Sequence, residues 1–196
     1  MTTVSQLSAP RVGAVHARLR AATAHLHAEV DRMFASGLDS IQKYRRYLLG
    51  MHRFAIDYET ALGAAPRHSA WLADDLGSLA LQPLPAEGVP RPASGAAERL
   101  GWCYVMAGSS MGARSLLRDA QRLGYDGSRG ASFLARHAAS DEWGRLRDRL
   151  QAEDSSDAAR LDRAEAGARA AFALVRSCFE RSFDRIPATA AKEPRR

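Results

Sequence analysis

Cysteine is scarce in this chain. Only Cys103 and Cys178 occur in 196 residues, each inside an apolar segment and without a second Cys or a spaced His nearby. A disulfide-stapled scaffold and a cysteine-based zinc site are thereby excluded, and both residues read as buried free thiols. Long apolar runs are also missing. No stretch approaches the roughly 20 apolar residues of a membrane-spanning helix, and Met1 to Gly13 has no apolar core of a secretory signal, so the expectation is a cytoplasmic protein without a membrane span. Strand-like alternation is absent as well, which excludes a sheet protein. Acidic residues fall short of basic ones, 22 against 28, for a formal charge of +6. The excess sits at the ends, with Arg11, Arg18 and Arg20 unopposed in the first twenty residues, and Lys192, Arg195 and Arg196 facing only Glu193 in the last ten. The body is nearly neutral and offers no phosphate-tracking stripe, so nucleic acid is not an expected partner.

What remains is a chain of one domain's length, 46% apolar, with helical periodicity throughout. The pattern predicts helices over about 15–34, from an N-cap at Asp39 or Ser40 through Leu62, over 69–81, over 96–123, over 131–151 and over 158–186. The second is the clearest amphipathic segment, with Ile41, Tyr44, Leu48, Met51, Ala55, Tyr58 and Leu62 at three- and four-residue steps. Four of the eight prolines fall between Pro83 and Pro92 and mark a connection. The expected organisation is a flexible segment at 1–12, an all-α domain at 13–186 and a fraying tail at 187–196.

Two features carry chemistry. His25 and His27 are two apart on the first helix and at about 100° per residue point in nearly opposite directions, so they cannot share an ion. His25 sits with Ala21, Glu29 and Arg32 on a solvent-facing side. His27 shares a mixed face with Arg20, Thr23, Val30, Asp31 and Phe34. Asp31, one turn on, can accept the ring N–H that a ligating histidine leaves over, although an ordinary surface His–Asp pair has the same spacing. The second feature is the run from Tyr104 to Ala113, in which Gly108 and Gly112 each cost about 1 kcal/mol relative to Ala inside a helix. They leave a bare backbone strip. It serves either close helix packing or a flat small molecule lying against a helix that kinks to admit it.

The segment Leu19-Arg20-Ala21-Ala22-Thr23-Ala24-His25-Leu26-His27 resembles the proximal helix of the haem oxygenase family. Gly108-Ser109-Ser110-Met111-Gly112 resembles that family's distal helix in its bacterial form, and Ala168-Arg169-Ala170-Ala171-Phe172 its last long helix. The likeness spans most of the chain. It implies a single-domain helical bundle with haem between proximal and distal helices. His27 would be the proximal iron ligand and metal site, with Asp31 behind it, and Gly108, Ser109 and Gly112 would form the catalytic distal face. Arg20, Thr23, Ser110 and Phe172 would contact the haem, Arg20 through a propionate; Arg145, Arg147 and Arg149 could supply a second clamp.

By the same resemblance, haem is cofactor and substrate together, O2 is co-substrate, and the products are biliverdin, CO and iron. Electrons would come from an external donor such as a ferredoxin, a flavin reductase or ascorbate, and a bilin-accepting phytochrome would be one recipient. A distal face of Gly, Ser and Ala lacks the strong acid–base pair that would cleave an O–O bond before the ring is attacked. The sequence departs from the family at Ser109, where mammalian relatives place an Asp that orders water, and at Ala113, where some have Gly. Two further readings stay open: a haem-binding carrier or sensor without turnover, and a helical interaction module without haem.

Overall fold

The computed structural model describes residues 13–88 and 91–186. The expected flexible ends at 1–12 and 187–196 lie outside these residues. Among the described residues there are seven helices and no strand: α1 (Ala14–Met33), α2 (Ile41–Leu62), α3 (His68–Ser78), α4 (Gly95–Arg122), α5 (Ser132–Ala139), α6 (Glu142–Ala152) and α7 (Ala158–Arg185).

The ends of these helices have local causes. Ser40 caps α2, its hydroxyl accepting from the Lys43 amide at 3.3 Å. Gly124 ends α4 with φ +88°, and the Tyr125 amide reaches back to the Ala120 carbonyl. The same turn ends α3 at Ala80, φ +51°, which is why that helix stops short of the predicted Leu81. The predicted single helix over 131–151 is in fact two. Ser140 is extended (ψ 150°) and its hydroxyl donates to the His137 carbonyl, so α5 closes there and α6 restarts at Glu142. Ile41, counted on the apolar face of α2, is 43% exposed, while the other six markers are buried.

The long α7 is the axis on which α1, α2 and α4 all pack. Its approach to α4 is close because both helices shed side chains there. A Cβ on Gly101 would collide with the Ala164 carbonyl, and one on Gly167 with the Glu98 carbonyl. Around this crossing lie Leu100, Ala168, Ala171, Phe172, Val175 and Phe179, all buried. On the other side of the core, α2 packs on α3, and α5 bridges α3 and α4. Of the two cysteines, Cys178 is buried as expected; Cys103 is only half-buried, with the Tyr58 hydroxyl 3.7 Å from its sulfur.

Candidate functional site

Helices α1 and α4 run alongside each other in the same direction, and both rest on α7. They meet at their ends. At one end the His16 ring lies 6.1 Å from that of Tyr104, and at the other the Leu38 amide donates to the Asp119 carboxylate at 3.0 Å. Between those points they scarcely touch. On α1 this stretch holds the buried Thr23 and the exposed His27, and on α4 it holds Gly108, Met111 and Gly112. A Cβ on Gly112 would have no atom within 4 Å, and one on Gly108 would find only the Trp143 ring at 3.9 Å. Close packing therefore does not explain these two glycines, in contrast to Gly101 and Gly167. The strip they leave borders open space. Met111 beside them is 63% exposed, which is unusual for an apolar side chain of its size. The helix itself is unbroken through this region rather than interrupted.

On the α1 side, His27 Nδ1 lies 2.9 Å from an Asp31 carboxylate oxygen, and both side chains are about two-thirds exposed (63% and 66%). The Phe172 ring, itself buried, meets the His27 ring edge-on at 5.7 Å between centroids. With Nδ1–H donated to Asp31, Nε2 keeps its lone pair for a metal. Thr23 is buried, its hydroxyl donating to the Leu19 carbonyl at 2.8 Å. Burial pushes the Tyr104 phenol above its ordinary range, with Thr23 and the Arg20 guanidinium opposing. Arg20 is exposed. These residues fit a flat, acidic, iron-bearing group, which His27 Nε2 would ligate and Arg20 would offer a cation. The structure thus places Arg20, Thr23, His27 and Asp31 on α1, pairs His27 with Asp31 and with Phe172 of α7, and places Gly108 and Gly112 on α4.

Ser109 and Ser110 do less than expected. Ser110 donates to the Ala107 carbonyl and Ser109 to the Met106 carbonyl, each at 2.7 Å. The Ser109 oxygen also lies 2.9 Å from His137 Nε2. His137 is 1% exposed, and burial holds its ring down at about 4, so it is neutral. Beyond it stand Glu142 and His68, with 3.1 Å from His68 Nε2 to a Glu142 oxygen. Burial works against a charge on His68, but hydrogen bonds to Glu142 and Glu59 outweigh it and hold this ring above its ordinary value. Tyr104, Trp143 and this buried histidine cluster are what sequence reasoning missed; their relation to the distal strip exists only in three dimensions. The Arg145, Arg147 and Arg149 side chains are exposed on α6.

Seven helices without a strand among the described residues, with α1, α2 and α4 packed on α7, define an all-α helical bundle. A sequence model of the haem oxygenase family matches residues 69–181, more than half of the chain, and the chain belongs to that family. Its fold is accordingly that of the oxygenase enzymes of haem degradation. The haem oxygenase of Neisseria meningitidis, solved with NO and CO bound, is similar over 92% of this chain and 96% of its own, at 27% identity and a TM-score of 0.68. No curated protein matches. The matched family segment begins after α1 and so does not include His27.

Proposed function

We propose that this protein opens the haem ring with O2 and external electrons, yielding biliverdin, CO and iron. The reading is supported by a stretch of α4 that is bare without being packed, together with the His27–Asp31 pair on α1. Bound haem supplies the iron at which O2 is reduced and the porphyrin that is oxidised. His27 Nε2 would hold that iron. Asp31, accepting from Nδ1, fixes the ring's tautomer and strengthens the nitrogen as a donor. Phe172 supports the ring from the side, and Arg20 offers a cation to a carboxylate at the cleft's edge.

The α4 wall contributes by what it omits. Gly108 and Gly112 let the backbone approach the opposite face of the ligand, and the exposed Met111 covers apolar surface. The proton of each serine hydroxyl is committed to a backbone carbonyl, so Ser109 and Ser110 offer only oxygen lone pairs to water in the cleft. Proton delivery then falls to ordered water.

The test is direct. The chain should bind hemin one to one, and ascorbate or a reductase system should replace the Soret band with bilin absorption. His27→Ala should change the Soret spectrum strongly and His25→Ala should not. Hemin recovered intact after a proven supply of electrons overturns the enzyme reading. It would leave a haem carrier or sensor, the second reading, which the committed Ser109 hydroxyl favours; single-turnover product analysis separates the two.

A further inference from the structure

Under α4, three helices bring together side chains that the cleft does not use. His68 opens α3, His137 lies in the last turn of α5, and Glu142 opens α6. Among the described residues this is a group of three whose donor atoms all lie within 4.8 Å of one another. We propose that His68 Nε2, His137 Nδ1 and the second Glu142 oxygen, Oε2, form a binding site for a divalent first-row transition ion.

The distances have the right scale. Oε2 is 3.2 Å from His68 Nε2 and 3.7 Å from His137 Nδ1. Bonds of about 2.0–2.1 Å in tetrahedral geometry put neighbouring donors roughly 3.3 Å apart, so an ion fits among these atoms after small rotations. One of them asks for such a partner. His137 Nδ1 is fully buried and makes no hydrogen bond, although the ring is 1% exposed. Because the Ser109 hydroxyl donates to Met106, its oxygen accepts from His137 Nε2–H, which leaves Nδ1 as a lone pair. That lone pair faces a carboxylate oxygen, which also only accepts. Two acceptors looking at each other in a buried place are completed by a cation between them.

The surroundings suit ligation. A ligating imidazole commonly gives its second N–H to an oxygen. His137 does so to Ser109, and His68 turns Nδ1 toward Glu59 Oε1 at 3.6 Å. Glu59 is itself fixed by the amides of Arg67 and His68, at 2.9 and 2.7 Å, and by Ser69. Arg67 holds Glu142 Oε1 at 2.8 Å from a half-exposed side chain, His68 Nε2 lies within 3.2 Å of both Glu142 oxygens, and Oε2 faces His137. Two imidazoles and one carboxylate favour zinc or ferrous iron over magnesium or calcium.

Titration calorimetry of the haem-free, full-length chain with zinc sulfate should give one ion per chain at micromolar affinity or tighter. An anaerobic titration with ferrous sulfate distinguishes the two metals, and tight binding of either supports the site. Glu142→Gln, which keeps the side chain's size, and His137→Ala should each weaken binding at least about 100-fold. The double variant His25→Ala/His27→Ala, on exposed α1, should bind like the wild type. No binding of either metal, binding unchanged in Glu142→Gln, or magnesium bound as tightly as zinc would overturn the proposal. The titration needs no haem, so its failure leaves the haem reading standing, and failure of hemin to bind leaves this one standing.

Discussion

Replacing Gly112 by alanine would put a methyl group where no atom lies within 4 Å, while the same change at Gly101 would drive one into the Ala164 carbonyl. Both glycines sit inside α4, so helix propensity favours alanine at each by about 1 kcal/mol. Space decides the sign. Gly112→Ala should stabilise the haem-free protein by up to about 1 kcal/mol in urea titration and at the same time slow haem turnover, because the methyl occupies the surface against which the ligand lies. Gly101→Ala should cost several kcal/mol, on the scale of about 1–3 kcal/mol or more for overpacking, with loss of folded protein. Equal destabilisation by both changes would show that Gly112 is a packing residue after all. His27, Asp31 and the two open glycines were within reach of sequence reasoning because one-turn spacing places them on single helix faces. His137 lies 28 residues beyond Ser109 and on another helix, and no local spacing announces the pairing.

Among the elements, the split between α5 and α6 shows why boundaries elude a reading of periodicity. Neither Ser140 nor Asp141 is a Gly or Pro, and the apolar spacing continues on both sides, with Phe133, Leu134 and His137 before the break and Leu146 and Leu150 after it. The break follows from the extended backbone at Ser140, whose hydroxyl donates to the His137 carbonyl, while the start of α5 is fixed from α3. The Asp75 carboxylate accepts from the amides of Ser132 and Phe133, at 2.7 and 2.9 Å, and so does the work of a cap from a distance. It is 1% exposed, and burial pushes its carboxyl from 3.8 up to about 6, even though the two amides favour the charged form. The folded state therefore binds the proton more tightly than the unfolded one. That contribution is complete below about pH 3.8 and is lost as pH rises through about 6. Wild-type stability should accordingly fall between pH 4 and 7, relative to Asp75→Asn, by up to about 3 kcal/mol. Denaturation midpoints across that range check it, and parallel pH profiles for the two proteins would refute it.

At the scale of the whole molecule, α1 is a wall fixed at its ends and along α7 but not against α4. Its start is tied to α7 by Arg18 with Asp162 and Glu165, and its far half by Glu29 with Arg176 at 2.8 Å. These are exposed or half-exposed pairs and hold it weakly, each about 0–1 kcal/mol. The last bond is Leu38 to Asp119, next to Gly37, whose φ of +71° and closeness to that carboxylate leave no room for a side chain. Asp119→Ala should therefore loosen α1 without touching the cleft, weakening hemin affinity while leaving the Soret maximum unchanged. In the proposed site, a ligand held between α1 and α4 would replace the missing contact between them. Hydrogen exchange should then be faster in α1 than in the buried α2 and α7 before hemin is added, and should slow selectively in α1 afterwards. At 100 times its Kd, hemin adds about 2.7 kcal/mol, which in a chain of this length raises Tm by roughly 5–11 °C. His27→Ala should lose most of both effects and His25→Ala neither. Protection gained uniformly over all seven helices, or a Tm shift that survives in His27→Ala, would mean that hemin binds somewhere other than between α1 and α4.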